Sequence, residues 1–566
     1  MAMLGVVDAD DPRFTSWSDG YDSYFRDGGC TGWMTAHIVL MVSAWIVTMP
    51  LALVLSLARS RFHLPAQIAF HVLNGLGVFA GFVYKHATPG LYKGESHSAL
   101  GWATTAATVA WTLLSAYVAY SDRKSKHRGD HTSTARYSTL GQYEGRTRTQ
   151  PARWSGDSGM GSSRHESSES VNQKADEPAS SDDGKEEHDE DEDNEEYSRR
   201  GILGSYRTDR GFSGHMHRLP MPRLSTLARG IQVVLEKLLL LLGFAALCTG
   251  FVVYGGLARS WEVLSIAAHF VKGGIFFWYG LLTLGRWMGA FCEFGWAWNI
   301  RPKQPLVASW KTRVPSAEFV ESFVIFLYGA SNVFLEHLNN AGGIWSTQDF
   351  EHVSITFLFF GGGLLGMLID STWIREMLST SVVMQKNRDL RPTDASRFDS
   401  TTAPADVADQ LWQEPNTYRL PLNPMPGLVI MILGIVMSAH KQKTSAATML
   451  HSQWGILFFT FAIARAGTYL LLYLKPPTSH YPARPPTELV AAFCLASGGL
   501  LFMVSAHDTV WAVESNGLDA MIVFTVTMGF TGIILAWQLF CFAVKGWAVR
   551  YETRAAGDSP PRRLLA

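Results

Sequence analysis

Eight histidines fall where apolar segments of the chain meet the same predicted face of a membrane. They are His37, His97, His269, His337, His352, His440, His451 and His507. Ionisable groups at membrane depth are energetically expensive and usually serve a function. Imidazole is also the side chain that binds transition metals and haem iron. The grouping therefore points to metal or haem chemistry at that face, without naming a reaction.

Carboxylates and thioethers accompany several of these histidines. Met437 and Met503 precede His440 and His507 by three and four residues, on the same side of a helix. Imidazole with thioether suits copper, whereas imidazole with carboxylate suits zinc or iron. We therefore predict a metal site with these candidate ligands: His269, His337, His352, His440, His451, His507, Glu336, Glu351 and Asp508. The alternative is that these groups only meet headgroups and water where the helices end.

Composition places the chain among polytopic α-helical membrane proteins. It has 566 residues, 47% of them hydrophobic, with repeated apolar runs long enough to cross a membrane core of about 30 Å. A β-barrel would instead show short alternating segments. The five cysteines form no CxxC pair, so neither a zinc finger nor a disulfide framework is implied. Nucleic-acid, P-loop and HExxH motifs are absent from the sequence. We predict an all-α, polytopic transmembrane helix bundle.

Eleven apolar segments are candidate membrane spans. They cover residues 33–57, 65–84, 98–120, 231–257, 262–286, 317–338, 351–374, 426–440, 450–474, 487–507 and 519–545. The eighth, from Pro426 to His440, has only 15 residues, which is short for a full crossing. We therefore expect that segment to be short, tilted or re-entrant.

Lysine and arginine counts in the loops predict the orientation. Basic residues follow the first, third, fifth, seventh, ninth and eleventh spans, as Arg123, Lys124 and Lys126 follow the third. The N-terminal tail carries six aspartates and only two arginines. We expect the N-terminus on the non-cytosolic side and the C-terminus in the cytosol. The histidine-rich face is then the non-cytosolic one.

A long polar segment divides the spans into two groups. Residues 121–228 are rich in Ser, Gly and charged residues and contain too few apolar groups to form a core, so we predict a disordered cytosolic insert. The predicted organisation has five parts. They are an acidic non-cytosolic tail (1–32), a three-span module (33–120), the insert (121–228), an eight-span module (229–550) and a cytosolic tail (551–566).

The first three spans carry an ordered pattern of histidines and other residues. It consists of His37, Met41, Trp45 and Pro50 in the first span, His71 in the second, and His97 and Gly101 at the start of the third. The pattern resembles the first three core helices of the ascorbate-type transmembrane b cytochromes. That resemblance implies haem b held by two imidazoles from different helices.

His37 and His97 begin their spans at the same face and form the pair that the resemblance implies. His86, in the segment KHATPG, is a weaker substitute. His71 lies toward the opposite face, where the cytochromes supply a partner from the start of the next helix. That helix here begins IQVVLEKLLLLL, without histidine, so a second haem lacks a ligand. The alternative is that the pattern persists only as helix packing.

The remaining spans resemble a second family. The segments HFVKGGIFFWYG, ESFVIFLYGASNVFLEHLNN, FEHVSITFLFFGGGLLGMLID and GIVMSAHKQ are similar to the C-terminal part of a fungal family of integral membrane proteins related to the yeast protein Ytp. The three-span module resembles the N-terminal part of that family, and there is a fainter likeness to the transmembrane protein 45 group. The family has been linked to electron transport mainly by sequence likeness.

Charged residues also lie inside or close to the apolar segments, namely Lys272, Arg286, Glu321 and Arg465. At membrane depth each of them needs a partner or a water-filled cavity. Glu321 with Arg465 or with Lys272 is the predicted buried pair, and a proton or ion pathway is the alternative. The glycine-rich stretch 361–366 predicts a close approach between helices.

Three functions follow from these patterns. The first is a membrane redox protein, in effect a transmembrane oxidoreductase, that binds haem b or a copper, zinc or iron ion near one face. The second is a metal-ion transporter or sensor that uses the cluster of histidines, methionines and carboxylates. The third is a non-catalytic membrane scaffold. The expected partners are the lipid bilayer and a small-molecule or metal ligand, and nucleic acid is not expected.

Overall fold

The computed structural model describes nine stretches of the chain, which are residues 23–27, 29–88, 90–92, 94–137, 221–259, 263–336, 347–389, 420–440 and 442–555. The regular elements of these stretches are helices, and the packing below lies within the unit made of residues 1–117 and 222–566. Most of the predicted disordered insert, residues 138–220, lies outside the described residues. So do residues 1–22 and 556–566 of the two predicted tails.

Four long helices of the described residues, preceded by a single turn at Tyr24–Asp27, form the N-terminal part of the fold. They are α1 (Thr31–Leu57), α2 (His63–Ala87), α3 (His97–Tyr137) and α4 (Met221–Gly255). Helix α1 contains a π-helical stretch, Ser43–Thr48, directly before Met49 and Pro50. Proline inside a helix lacks the N–H donor and clashes with the preceding turn, which accounts for the local departure from α-helical geometry.

Nine longer helices of the described residues form the C-terminal part. They are α5 (Val263–Met288), α6 (Ala317–Glu336), α7 (Thr347–Asp370), α8 (Thr372–Asp389), α9 (Met425–Ala439), α10 (Ser445–Leu474), α11 (Thr487–Val504), α12 (His507–Ser515) and α13 (Ala520–Ala555). The protein is thus all-α in its described parts, as its sequence predicts.

All eleven predicted spans fall on helices, with small differences at their ends. Eight helices of the described residues are long and apolar enough to cross a membrane: α1, α2, α4, α5, α7, α10, α11 and α13. The segment predicted to be weakest became α9, a helix of 15 residues. Helices α3 and α4 extend past the predicted ends at 120 and 231, to Tyr137 and from Met221. The ends of the insert are therefore helical.

Large apolar side chains on these helices remain exposed on the outside of the protein. Phe357 of α7 and Ile533 of α13 are each 68% exposed, and Val526 of α13 is 65% exposed. In a lipid bilayer such side chains contact hydrocarbon, so burying them inside the protein would not remove them from water. The protein is a multi-pass membrane protein whose apolar helices contact the lipid bilayer.

Small residues set the distances between the C-terminal helices. Helix α5 packs against α11 and helix α6 against α7. A Cβ at Gly280 would lie 2.6 Å from the backbone nitrogen of Ala496, and a Cβ at Gly499 would lie 2.5 Å from that of Phe277. Gly363 likewise meets the backbone of Phe326. Any larger residue would push these helices apart, which agrees with the close approach predicted for the stretch 361–366.

Candidate functional site

His37 of α1 and His97 of α3 face each other in the N-terminal part. Their ring centroids lie 6.3 Å apart and their ring planes meet at 84°. Both residues are half-buried, and each lies near the start of its helix. The structure therefore brings together the two imidazoles that the sequence pattern singles out.

Neighbouring helices hold the Nδ1 atom of each ring. The Nδ1 of His37 lies 2.8 Å from the carbonyl oxygen of Gly77 in α2. The Nδ1 of His97 lies 3.1 Å from the hydroxyl of Thr249 in α4. An engaged Nδ1 fixes the orientation of an imidazole and directs its Nε2 to a metal. Four helices thus contribute to the position of the two rings.

Two glycines provide the space that the rings occupy. A Cβ at Gly81 of α2 would lie 2.7 Å from the Nδ1 of His37. A Cβ at Gly250 of α4 would lie 3.1 Å from the Cε1 of His97. Glycine at these two positions therefore lets each ring lie directly against the backbone of a neighbouring helix.

The centroid separation of the His37–His97 pair is comparable with that of two imidazoles bound to one metal ion. Two imidazole nitrogens bound on opposite sides of one ion, each about 2 Å from it, place their ring centroids roughly 6 Å apart. The observed separation is 6.3 Å. Two imidazoles whose Nδ1 atoms are engaged are also the donor set of a bis-histidine haem.

The other residues of the N-terminal pattern pack within the bundle. The Nε1 of Trp45 donates to Asn74 Oδ1 at 3.0 Å, and the indole ring lies against Gly243 of α4. The thioether of Met41 lies against Gly77. Packing alone therefore accounts for Met41 and Trp45.

His71 has a hydroxyl partner instead of a second imidazole. Its Nε2 lies 2.5 Å from the Oγ1 of Thr112 in α3. At this end of the bundle, α4 contributes Glu236, whose Oε1 accepts from the Nε1 of Trp111 at 3.2 Å and from Ser56 Oγ at 2.7 Å. Near the position where the cytochromes would supply a second histidine, α4 therefore carries a glutamate whose carboxylate is hydrogen-bonded to other residues.

His86 is exposed at the end of α2. Its Nδ1 lies 3.0 Å from the carbonyl oxygen of Phe82, and its ring contacts the ring of Phe82 with centroids 4.1 Å apart and planes tilted by 39°. These contacts stay within one helix, so the structure gives His86 a local role at the helix end rather than a place beside His37 and His97.

A cavity of about 910 Å³ lies in the C-terminal part of the fold. One side of α5 lines it from Ser265 to Leu282, a length of about 26 Å at 1.5 Å per residue. Six predicted metal ligands line it too: His269, His352, His440, His451, His507 and Glu351. The structure therefore gathers these side chains from four helices, α5, α7, α10 and α12, and from the residue after α9 around one space.

Several of these residues are held by local partners. The Nδ1 of His440 lies 3.1 Å from Glu351 Oε2, which joins the end of α9 to α7. The Nδ1 atoms of His269 and His451 lie 2.9 Å and 2.8 Å from the carbonyl oxygens four residues earlier in their own helices. The Nε2 atoms of these two rings are thus the nitrogens available to a ligand.

Asp508 has a structural contact of its own. Its Oδ2 accepts from the backbone nitrogen of Ala258 at 3.0 Å, and its Oδ1 lies 3.8 Å from the Nδ1 of His507. Among the described residues, no three potential ligands from His, Cys, Asp and Glu converge on one point. His337 lies outside the described residues, as does the side chain of Glu336. The metal site therefore stays a prediction.

A buried network of charged residues lies at the other end of the cavity. Arg286 of α5 contacts Glu318 at 2.8 Å and Glu321 at 2.6 Å, both on α6. Arg465 of α10 contacts Glu321 at 3.3 Å and Glu488 of α11 at 2.8 Å. The five side chains are at most 6% exposed. Two arginines thus bridge three glutamates from two helices.

The structure forms the predicted Glu321–Arg465 pair. Lys272 lies elsewhere along the cavity, with its Nζ 5.8 Å from the ring centroid of Tyr328. Sequence reasoning missed Glu318 and Glu488, because each lies in the first turn of its helix, where a carboxylate usually faces water. The sequence did contain one indication of the network: Glu318 and Glu321 are three residues apart and so lie on one face of a helix.

Two models of protein families match the chain. The model described as "Protein YTP1-like, C-terminal" matches residues 242–546. A domain of unknown function, DUF2427, matches residues 21–121. The first match covers the cavity and the buried charged network, and the second covers His37, His71, His86 and His97. No solved structure matches.

Three fungal proteins are similar to this chain. The uncharacterized membrane protein C3B8.06 of Schizosaccharomyces pombe is 32% identical over 91% of this chain and 94% of its own length. The uncharacterized membrane protein YCR061W of Saccharomyces cerevisiae is 33% identical over 60% of this chain and 52% of its own length. Protein YTP1 of Saccharomyces cerevisiae is 21% identical, with coverage of 56% and 54%. The likeness to the first relative thus extends over nearly the whole of both chains.

Proposed function

We propose that this chain, which belongs to the YTP1-like family of multi-pass membrane proteins, is a redox carrier that binds one haem b through His37 and His97. The observation that carries this proposal is the apposition of the two rings, with centroids 6.3 Å apart. The ordered N-terminal pattern that resembles the ascorbate-type b cytochromes supports it.

The chain's own residues would determine the position of the group. Gly77 and Thr249 orient the two imidazoles through their Nδ1 atoms. Gly81 and Gly250 let the rings lie close to α2 and α4. A haem bound in this way supplies one-electron oxidation and reduction at its iron. Hydrogen bonds to the ligand imidazoles are one means by which a protein adjusts a haem potential.

The proposed carrier has a single haem near one face of the membrane. His71, toward the opposite face, is hydrogen-bonded to Thr112, and α4 contributes Glu236 at that end. Electrons would therefore be exchanged at the face of His37 and His97. The distribution of basic loops supports assigning that face to the non-cytosolic side, with the C-terminus in the cytosol.

A difference spectrum of the purified full-length protein tests this proposal. We expect a reduced-minus-oxidised change in the Soret and α bands that is lost in His37→Ala and in His97→Ala. His86→Ala is the matched control, because His86 is exposed and contacts only its own helix. A colourless wild-type protein, or a spectrum that survives in both His37→Ala and His97→Ala, would contradict the proposal.

A metal-ion transporter or sensor is the second candidate. The observation that favours it is the convergence of His269, His352, His440, His451 and Glu351 on one cavity. Elemental analysis of colourless protein would distinguish it from the first proposal. Stoichiometric copper or zinc, lost in a His440→Ala variant that also carries Glu351→Gln, is the expected result for this function. Metal at trace levels in the wild type would contradict it.

A further inference from the structure

The buried charged network at the end of the cavity has an uneven number of charges. Arg286 and Arg465 carry two positive charges, and Glu318, Glu321 and Glu488 carry three negative charges when ionised. Arginine keeps its proton in proteins. An uncompensated charge is costly at this degree of burial, so the network favours the binding of one more positive charge.

Other titratable groups lie close to the network. Asp370 of α7 lies near Glu321 and is hydrogen-bonded by Ser316, with Arg375 as its charged neighbour, so this pair adds one charge of each sign. Tyr279 on α5 and Tyr469 on α10 place neutral hydroxyls near Arg465. Lys272 also lines the cavity, farther along α5. The five side chains of the network themselves carry an excess of one negative charge when all three glutamates are ionised.

Glu488 shows that the network has unused hydrogen-bonding capacity. Its side chain is fully buried, and Arg465 Nε lies 2.8 Å from its Oε1. The two groups are nevertheless not aligned as a hydrogen bond, and neither carboxyl oxygen of Glu488 has a hydrogen-bond partner among the described residues. Both oxygens of Glu488 are therefore acceptor atoms that the described residues leave unused.

The cavity reaches this network directly. Glu321 of the network lines the cavity, and so does its neighbour Tyr279, whose hydroxyl lies 3.4 Å from Arg465 Nη1. The same cavity extends along α5 to His269 and on to His440 and His451. Imidazole and carboxylate side chains within one membrane-embedded space are the groups that relay protons.

We propose that the network of Arg286, Glu318, Glu321, Arg465 and Glu488 binds one exchangeable proton, and that the cavity is the path by which this proton enters and leaves. On uptake, an O–H bond forms at one glutamate oxygen while an O–H bond of a hydronium ion breaks and leaves water. The proton belongs to the three glutamates as a coupled set rather than to one residue. This site is separate from the proposed haem site and does not depend on it.

Infrared spectroscopy of the full-length protein at neutral pH tests the proposal. We expect the carbonyl stretch of a neutral carboxyl group, shifted on transfer to D2O. We expect the band to be lost in each of Glu318→Gln, Glu321→Gln and Glu488→Gln. Each change leaves two glutamates opposite two arginines, so the network no longer needs a bound proton to balance its charge. The matched control is Glu376→Gln on α8, where the glutamate is exposed, and this variant keeps the band.

The wild-type measurement alone can overturn the proposal. If the wild-type protein shows no neutral carboxyl band at neutral pH, the network does not hold a proton, whatever the variants do. A band that persists in all three glutamine variants would belong to another carboxyl group and would also refute it. Size-exclusion chromatography of each variant shows whether the band is lost because the network no longer binds a proton or because the protein unfolds.

The second part of the proposal concerns the path. Ile355→Trp places a large side chain in the wall of the cavity, and we expect it to slow the exchange of the band in D2O while leaving its intensity unchanged. Ile456→Trp is the control, since Ile456 is 55% exposed on α10. Equal exchange rates in wild type, Ile355→Trp and Ile456→Trp would refute this path.

Discussion

The indole Nε1 of Trp537 lies 2.8 Å from the carbonyl oxygen of Ile46. Pro50 lies four residues after Ile46 and has no N–H to donate to that oxygen, as another residue in a helix would. Trp537 of α13 therefore donates to a carbonyl oxygen of α1 that Pro50 cannot serve. This hydrogen bond also links the N-terminal module to the last membrane helix.

The Trp537–Ile46 contact predicts a dependence between two substitutions. Trp537→Phe removes the indole donor from the carbonyl oxygen of Ile46, which we expect to cost about 1–3 kcal/mol of stability. In a Pro50→Ala background the cost should be smaller, because the new N–H can serve the same oxygen. Thermal unfolding in detergent of the wild type, both single variants and the double variant measures this coupling. Additive effects would show that the two residues do not share the carbonyl.

Gly81 and Gly75 form a matched pair on α2. A methyl group at Gly81 would lie 2.7 Å from the Nδ1 of His37, whereas nothing lies within 4 Å of a Cβ at Gly75. We expect Gly81→Ala to cost about 1–3 kcal/mol through overpacking and to displace His37. The Soret band of the Gly81→Ala variant should weaken or shift. Gly75→Ala should keep both the spectrum and the melting temperature, and a similar response of the two variants would count against this geometry.

Arg465 and Arg61 contrast a buried ion pair with an exposed one. Arg465→Met leaves Glu488 without its arginine in a fully buried site, and we expect a loss of about 3–5 kcal/mol. The Arg61 side chain is 55% exposed and pairs with Glu552 at 3.3 Å, so Arg61→Met should cost about 1 kcal/mol or less. The two variants are compared with the wild type by the temperature at which half of the monodisperse protein is lost. An equal fall of this temperature in both variants would contradict the burial of the network.

Cys292, outside the membrane-spanning helices, gives a prediction for pH dependence. Burial, with a smaller effect of Glu293, raises the pKa of the Cys292 thiol to about 11. The thiolate is the reactive form, so maleimide labelling should accelerate about tenfold per pH unit below that pKa. A variant that keeps Cys292 alone allows the measurement. Glu293→Gln should lower the pKa and speed labelling at a given pH, and a rate that levels off below pH 9 would be inconsistent with this environment.

The sequence was sufficient for the helices and for the proximity of His37 and His97. Apolar runs of about 20 residues and the order of residues within a span can be read without knowledge of the tertiary structure. The first and third spans begin at the same predicted face, which places the two histidines at similar depth. Their role as haem ligands stays a prediction. The 15-residue segment after Pro424 was likewise identified as short from its length alone.

Contacts between distant helices could not be predicted in the same way. Glu488 pairs with Arg465 and Glu318 with Arg286 because α5, α6, α10 and α11 pack together, and no local pattern specifies that packing. The partner of His71 is Thr112, a residue type that hydropathy does not single out. Side chains at helix ends were especially ambiguous, since Asp508 has a structural hydrogen bond and His440 an ion-pair partner.

The ratio of bound haem to protein tests the central claim most directly. We predict one haem per chain in the purified wild-type protein and in His71→Ala, and none in His37→Ala or His97→Ala. Haem quantified as its pyridine complex against protein measured by amino-acid analysis gives this ratio. A wild-type protein without haem, or a His37→Ala variant that retains one haem per chain, would contradict the assignment of this pair as haem ligands.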